Sequence, residues 1–268
     1  MITSNAIKNR DMNVVDFSIE QAVGYITLNR PDKLNSFNRH MALEMQDALK
    51  ACETELVRCV LITGTGKAFS AGQDLAEAVD PNGPGMKRIL SEHYNPIILA
   101  IQDLKKPVVA AVNGVAAGAG ANIALCCDIV VASRSASFIQ AFSRIGLIPD
   151  SGGTYFLPRL IGHQKASAIM MLGDKISAEE AERMGMIYKY FEDEGFMNEA
   201  NKIANMLASM PTAGLAYTKK ALQWSLTNSL SEQLMNEDTL QQRAAATEDF
   251  NEGVLSFLEK RVPVFKGK

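Results

Sequence analysis

The sequence is poor in the residues that mark several large classes of protein. Its 268 residues include four cysteines and a single tryptophan. The cysteines lack the spacing of metal ligands, and two of them are adjacent within an apolar stretch. We therefore predict reduced, buried thiols and no metal site. The four positions are Cys52, Cys59, Cys126 and Cys127.

An excess of charge of one sign is also absent. Lys and Arg total 27 and Asp and Glu total 30, which gives a formal net charge of -3. No cationic field is therefore available for nucleic acid or for an anionic membrane surface. The sequence also lacks an apolar signal region and an uncharged run of the roughly 18 apolar residues that cross a bilayer. These absences predict a cytoplasmic protein that binds neither nucleic acid nor membrane.

What is present is enough apolar material for one large core, with a pattern that changes along the chain. Hydrophobic residues make up 47% of the sequence. β-Rich runs predict a hairpin over residues 13–28, and helical spacing predicts a helix over 38–52. Apolar runs at 57–63, 107–112 and 127–133 predict buried strands. Strands alternating with loops and helices indicate an α/β core.

Beyond Gly162 the pattern predicts helix after helix. Ser177 and Glu180 fit a capping box at the start of one of these helices. We predict a polar tail over residues 1–12, a core over 13–200 and a helical region over 201–268. The predicted helices span 163–172, 177–184, 197–210, 212–225, 230–246 and 251–260.

Two loops of small residues follow predicted strands. Ala71 and Gly72 lie in the first, and the second runs from residue 114 to 122. Each can expose one main-chain N–H to a ligand. Two amides that converge on one oxygen form an oxyanion hole, in which each donor accelerates an enolate-forming reaction ~100- to ~1,000-fold. Tight packing between layers is the alternative explanation for either loop alone.

One carboxyl group stands in an apolar context. Asp150 follows four largely apolar residues, and burial there would raise its pKa and suit it to accept a proton near neutrality. The alternative is that Asp150 caps a helix beginning near Ser151. The histidines are weaker candidates for a base because His40, His93 and His163 lie in separate polar contexts.

Two nucleotide-binding patterns are incomplete. Residues 61–68 resemble a phosphate-binding loop, but Leu61 and Ala68 stand where Gly and Ser or Thr are required. Residues 118–123 follow a strand like a dinucleotide fingerprint, but Ile123 replaces the third glycine. The sequence therefore disfavours an NAD-dependent oxidoreductase.

Four ordered motifs resemble those of the crotonase (enoyl-CoA hydratase/isomerase) superfamily. They lie at residues 30–35, 69–74, 111–120 and 146–154. The resemblance runs from about residue 13 to the C-terminus. It implies a ClpP/crotonase-like α/β fold, a spiral of ββα units with a C-terminal helical region that forms trimer contacts. Homotrimers and dimers of trimers are both implied.

The resemblance also implies an acyl-CoA thioester as substrate, with no separate cofactor because CoA is part of that substrate. It places the oxyanion-hole amides at Gln73 and Ala119. It implies that the backbone around Lys33, Leu34 and Ala71 faces the CoA adenine and phosphates. Asp74 and Leu75 would lie beside the pantetheine arm. Phe142 would line a dry acyl pocket.

Departures from the family pattern bear on the reaction. Hydratases of the family use two glutamates, and the matching positions here are Asn122 and Phe142, which cannot accept a proton. Asp150 matches the acidic residue of the isomerases. The resemblance thus implies a ring-1,2-epoxyphenylacetyl-CoA isomerase or a 3-enoyl/2-enoyl-CoA isomerase. The alternatives are an enoyl-CoA hydratase and a non-catalytic acyl-CoA-binding protein on the same fold.

Overall fold

Two β-sheets form the centre of the fold. The computed structural model describes residues 14–268, so the predicted tail over 1–12 lies outside the described residues. The strands are β1 (Val15–Glu20), β2 (Val23–Leu28), β3 (Cys59–Gly64), β4 (Ala68–Ser70), β5 (Val108–Val112), β6 (Val115–Ala117), β7 (Ile129–Ser133), β8 (Ser137–Ile139), β9 (Lys175–Ser177) and β10 (Lys189–Phe191). In this part of the chain, a six-stranded sheet has the order β1-β2-β3-β5-β7-β10 and a four-stranded sheet the order β4-β6-β8-β9.

Consecutive strands are shared between the two sheets. The pairs β3/β4, β5/β6 and β7/β8 each send their first strand to the larger sheet and their second to the smaller one. Within each sheet the strands of successive pairs are parallel. Each pair therefore advances the chain by one position in both sheets. This stepwise advance is the spiral that the motifs imply, and the crotonase-like α/β fold is confirmed.

Helices surround the sheets and dominate the C-terminal part. They are α1 (Arg39–Ala51), α2 (Leu75–Ala78), α3 (Gly85–Arg88), α4 (Asn95–Asp103), α5 (Ala119–Leu125), α6 (Gly153–Ile161), α7 (His163–Leu172), α8 (Ala178–Arg183), α9 (Phe196–Ser209), α10 (Thr212–Ser225), α11 (Leu230–Ala245) and α12 (Glu248–Glu259). A π-helical turn at Ile89–Tyr94 connects α3 to α4. The predicted division between residues 200 and 201 falls inside α9 and stays a prediction.

The N-terminal hairpin and α1 form as the sequence predicts. β1 and β2 pair antiparallel, and the turn between them holds Gln21 and Ala22 at φ 49° and 62°. Asn38 begins α1 by accepting a hydrogen bond from the Met41 N–H at 3.0 Å. The apolar face of α1 is fully buried, including Met45. This face fixes α1 against the core and so fixes the loop that precedes it.

The six helices predicted beyond Gly162 are all present, as α7 to α12. The strands β9 and β10 between them were not predicted, because three residues are too few to show an alternating pattern. The capping box predicted for α8 is wrong in part. Ser177 does cap α8 by accepting from the Glu180 N–H. The side chain of Glu180 instead pairs with Arg183, so the reciprocal half of the predicted capping box is not formed.

Helix α9 covers the outer face of the larger sheet. Ala200, Ala204 and Leu207 pack on buried side chains of β2, β3, β5 and β7. The four cysteines are free and buried in the core, as predicted, and burial raises the pKa of both Cys52 and Cys59 to about 12. Across residues 14–268 no helix combines the length and the apolar character needed to cross a membrane.

Candidate active site

A cavity of about 440 Å³ lies where the small-residue loops meet. Six of the predicted site residues line it, whereas Lys33, Leu34 and Asp74 do not. The six are Ala71, Gln73, Leu75, Ala119, Phe142 and Asp150; the other lining residues are Ala78, Val79, Met86, Ile89, Tyr94, Gly118, Ala141, Arg144, Ile145 and Leu147. Most of the described residues in this wall are apolar, and Asp150 is the one acidic residue among them.

Two main-chain amides at the cavity are available to a ligand. Within residues 14–268, the N–H groups of Gln73 and Ala119 have no hydrogen-bond acceptor. Ala119 is the first residue of α5, so its N–H has no partner inside the helix. The preceding Gly118 adopts φ 52° and ψ -127°, a conformation that favours glycine, and so turns the chain into α5.

Glycines bring the two loops into contact. Gly72 has φ 87°, and a Cβ there would lie 2.8 Å from the Ala117 carbonyl oxygen and 3.4 Å from the Ala119 nitrogen. A Cβ on Gly120 would lie 2.5 Å from the Ser70 carbonyl oxygen. Backbone therefore packs directly on backbone at both points. The packing and ligand-binding explanations of these loops are compatible, because this close contact places the two amides at one cavity.

Asp150 is the half-buried carboxyl group of the site. Burial raises the pKa of Asp150, although a hydrogen bond donated by the Ser151 hydroxyl to Oδ1 at 2.8 Å opposes the rise. The alternative, in which Asp150 caps the next helix, is wrong: α6 begins at Gly153, its N-cap is Gly152, and no side chain caps it. The carboxyl group is therefore available to a molecule in the cavity.

Asn122 holds the backbone that carries Asp150. The Asn122 side chain is fully buried, and its Nδ2 donates to the Asp150 carbonyl oxygen at 2.8 Å. Its Oδ1 accepts from Gln140 Nε2 at 2.7 Å. The Gly153 N–H donates to the same Asp150 carbonyl at 2.8 Å. Asn122 stands where the family's hydratases carry a glutamate, and both polar atoms of its side chain form hydrogen bonds within the protein.

The three predicted residues outside the lining lie on neighbouring turns. The Leu34 carbonyl accepts from the Ala71 N–H at 2.9 Å, which holds the turn containing Lys33 against the first loop. Asp74 caps α2 through the Ala76 N–H and pairs with Arg30 at 3.0 Å. Contacts between these residues and CoA stay predictions.

Tyr94 is a polar site residue that the sequence pattern did not indicate. It is fully buried, lines the cavity and donates its hydroxyl hydrogen to Gln73 Oε1 at 2.8 Å. Its position depends on the π-helical turn, for which the sequence gives no signal. None of the three histidines lines the cavity. Among the described residues, no cluster of three or more His, Cys, Asp or Glu side chains is suited to a metal ion.

Comparisons with known proteins agree with this architecture. The family model described as enoyl-CoA hydratase/isomerase matches residues 18–268. The 1,2-epoxyphenylacetyl-CoA isomerase of Escherichia coli (strain K12) is 46% identical over 254 residues, 93% of this chain and 97% of the relative. The 2,3-dehydroadipyl-CoA hydratase of the same strain is 34% identical over 258 residues, 96% of this chain and 100% of the relative.

A solved structure extends the agreement to the coordinates. The enoyl-CoA hydratase from Bacillus anthracis matches with a TM-score of 0.89 at 31% identity, over 96% of this chain and 100% of that chain. Relatives named as isomerases and as hydratases both match over nearly the full length. Sequence, fold and cavity together show that the chain belongs to the enoyl-CoA hydratase/isomerase family of enzymes.

Proposed function

We propose that this protein is an acyl-CoA isomerase in which Asp150 moves a proton on a substrate whose thioester oxygen is bound by the Gln73 and Ala119 amides. The observation that carries the proposal is that, within residues 14–268, one half-buried carboxyl group and two unpaired amides lie on one mostly apolar cavity. Phe142 and Asn122 stand at the two positions where the family's hydratases carry glutamates, and among the described residues that line the cavity Asp150 is the one with a carboxyl group.

The proposed reaction begins with a 3-enoyl thioester in the cavity. The Asp150 carboxylate removes a proton from the α-carbon, and the electron pair of that C–H bond delocalises onto the thioester oxygen as a dienolate. The two amides stabilise the negative charge, which is the kind of contact that contributes most to such reactions. Asp150 then returns the proton to the γ-carbon and gives the 2-enoyl thioester. The apolar wall excludes water that would compete for the proton.

A ring-1,2-epoxyphenylacetyl thioester is the second substrate that we propose for the same site. The E. coli relative named 1,2-epoxyphenylacetyl-CoA isomerase supports this choice. The same amides would bind the thioester oxygen while the C–C bond shared by the epoxide and the six-membered ring opens, and its electrons would redistribute over the ring double bonds to give the seven-membered oxepin. Asp150 would then move a proton from the α-carbon to the ring. Neither reaction requires a cofactor, because the CoA group arrives with the substrate.

Hydration is the alternative that the site supports less well. Adding water to an enoyl thioester requires a group that activates the water and a group that protonates the α-carbon. Phe142 has no acid or base to contribute, and both ends of the Asn122 amide are engaged by Gln140 and by the Asp150 backbone. We therefore expect slow hydration of crotonyl-CoA.

We also propose that the chain assembles as a homotrimer or a dimer of trimers through its helical region. Large apolar side chains of this region are exposed in the single chain, including Phe257 at 82% and Leu258 at 72%. A second cavity, of about 500 Å³ and lined by α12 and its neighbours, contains none of the predicted site residues. Light scattering of the purified protein measures the number of subunits.

The reaction is tested with crotonyl-CoA, 3-hexenoyl-CoA and enzymatically made epoxyphenylacetyl-CoA, with products separated by chromatography because isomers share one mass. We expect conversion of at least one of the last two and very slow loss of the crotonyl-CoA absorbance. Asp150→Asn should lower isomerisation about 100- to 10,000-fold, the usual contribution of a general acid/base.

Asp103→Asn is the matched control for this experiment. Asp103 is an exposed carboxyl group at the end of α4, and its replacement should leave the rate unchanged. Near-full isomerase activity in Asp150→Asn contradicts the assignment of the base. Binding of the CoA esters without turnover of any of them would instead support a non-catalytic acyl-CoA-binding protein.

A further inference from the structure

The Tyr94 hydroxyl is a polar group at the cavity for which the proposed reaction has no use. Tyr94 ends the π-helical turn, its side chain is fully buried, and the hydroxyl donates to Gln73 Oε1 at 2.8 Å. The ring packs edge-to-face on Phe37, with centroids 5.9 Å apart. A buried tyrosine needs a partner for its hydroxyl, and here that partner is the side chain of an oxyanion-hole residue.

Hydrogen bonds fix the main chain on both sides of Gln73. The Phe37 N–H donates to the Gly72 carbonyl oxygen at 2.7 Å, and the Asp74 N–H donates to the Phe37 carbonyl oxygen at 2.8 Å. The Gln73 N–H lies between these two bonds and is unpaired within residues 14–268. The direction of that N–H therefore depends on how Phe37 and the Gln73 side chain are held.

The Gln73 side chain is held at both of its polar atoms. Its Nε2 donates to Glu77 Oε2 at 3.2 Å, and both Glu77 oxygens accept from the Arg39 N–H at the start of α1. Its Oε1 accepts from Tyr94. Tyr94 thus contacts two groups that hold the main chain at Gln73. Its ring packs on the Phe37 ring, and its hydroxyl group binds the side-chain oxygen of Gln73.

We infer that Tyr94 is a positioning residue that aims the Gln73 N–H at the thioester oxygen. The inference rests on the proposed function, because it assigns Tyr94 a role through the oxyanion hole. Amide donors stabilise a transition state only when they point at the place where the charge develops. Loss of the hydroxyl should therefore weaken stabilisation of the enolate more than it weakens binding of the ground state.

The hydroxyl keeps its proton under all conditions in which the enzyme would act. Burial raises the pKa of Tyr94 well above its ordinary value, and the negative charges of Asp150, Glu77 and Asp74 raise it further. A protonated hydroxyl can donate to Gln73 Oε1, which accepts only. The direction of this hydrogen bond is therefore fixed.

The test uses Tyr94→Phe, which removes the hydroxyl and keeps the ring on Phe37. We expect kcat for 3-hexenoyl-CoA to fall about 3- to 30-fold, in line with the loss of one hydrogen bond, and KM to change less than about 2-fold. A second readout is the ultraviolet spectrum of bound cinnamoyl-CoA, which cannot move its double bond. Its absorption shifts to the red when donors polarise the thioester carbonyl, and the shift should be smaller in Tyr94→Phe.

Tyr188→Phe is the matched control, since it makes the same chemical change at an exposed side chain outside the cavity. Gln73→Met removes the acceptor of the Tyr94 hydrogen bond but keeps the main-chain N–H. If both residues act through one contact, the double variant should lose less than the product of the two single losses.

Three outcomes overturn the inference. They are a Tyr94→Phe enzyme with unchanged kcat and spectrum, a lower melting temperature with an unchanged red shift, and fully multiplicative losses in the double variant. Failure of the proposed function is seen separately: the unaltered protein would then not isomerise 3-hexenoyl-CoA, or Asp150→Asn would retain its isomerase activity, whereas the red shift of bound cinnamoyl-CoA still tests the role of Tyr94.

Discussion

The two amides of the cavity are main-chain atoms, whereas the carboxyl group on the same cavity belongs to one side chain. On the amide side, Gly72 packs against the Ala117 carbonyl, and a Cβ there would lie 2.8 Å from that oxygen. On the carboxyl side, Asp150 Oδ1 has one hydrogen bond, from Ser151. The amide side should therefore be sensitive to backbone geometry, and the carboxyl side to side-chain chemistry and solvation.

Gly72→Ala should have the largest effect on the amide side. The new Cβ would strain a residue at φ 87° and push the loop away from Ala117. The N–H of the next residue, Gln73, would then be displaced from its position at the cavity. We expect kcat/KM for 3-hexenoyl-CoA to fall about 100- to 1,000-fold, the usual cost of one oxyanion-hole donor. Gly162→Ala is the control, because Gly162 has a similar φ of 81° and no atom within 4 Å of the added Cβ. Equal losses of activity in the two variants would contradict the view that the amide side depends on the close backbone contact at Gly72.

Asn122→Ala tests whether the carboxyl side also depends on its backbone. The change removes the donor to the Asp150 carbonyl and leaves buried Gln140 without its partner. We expect a loss of about 1 to 3 kcal/mol in the free energy of unfolding and a roughly 10- to 100-fold lower kcat. Denaturant unfolding and steady-state kinetics measure the two effects. Asn251→Ala, on exposed α12, should change neither; unaltered kcat in Asn122→Ala would show that Asp150 needs no such support.

The pH dependence of kcat/KM reports the solvation of the carboxyl side. In the proposed reaction the active form of Asp150 is the carboxylate, so activity should fall as pH decreases through its pKa. Because burial raises this pKa, the acidic limb should lie above the ordinary value for Asp of about 3.9. The Ser151 hydroxyl lowers the pKa, so Ser151→Ala should move the limb to higher pH. A limb at or below the ordinary value in both proteins would argue against a desolvated base.

Asp150→Asn should slightly increase the stability of the protein at neutral pH, whereas Asn122→Ala should decrease it. A carboxyl group whose folded-state pKa is raised favours folding only when protonated, and that contribution is lost as pH rises through the folded-state pKa. At neutral pH the buried charge therefore opposes folding, and the amide removes it. We expect the melting temperature at pH 7 to rise by about 1 to 4 °C. The rise should vanish as the pH approaches the acidic limb; a lower melting temperature at pH 7 would mean that the charge is well solvated.

Much of the larger sheet could be predicted from sequence because its strands are long, apolar runs. The smaller sheet could not, since β4, β6, β8 and β9 have three residues each and show no period. The family motifs gave the residues of both loops. The contact between those loops depends on tertiary packing of Gly72 on Ala117, which no local pattern contains.

The environment of Asp150 was predictable in part. Its apolar neighbours indicated burial and a raised pKa; Asp150 is half-buried, and this burial raises the pKa of its carboxyl group. The sequence left open whether Asp150 caps a helix, because the order of polar and small residues after Pro149 suits either structure. The support from Asn122, 28 residues away in the chain, had no local signal. Tyr94 was missed because its approach to Gln73 requires a helix geometry that propensities do not encode.

The π-helical turn at Ile89–Tyr94 makes one wall of the cavity sensitive to chain length. Such a turn is commonly an α-helix that holds one extra residue in a single turn. Deleting one residue there would allow α3 and α4 to merge, and would rotate one part of the merged helix against the other by about 100°. A different side chain would then stand beside residue 73. A one-residue deletion in this turn would therefore change the group beside Gln73 without any substitution of Tyr94 itself.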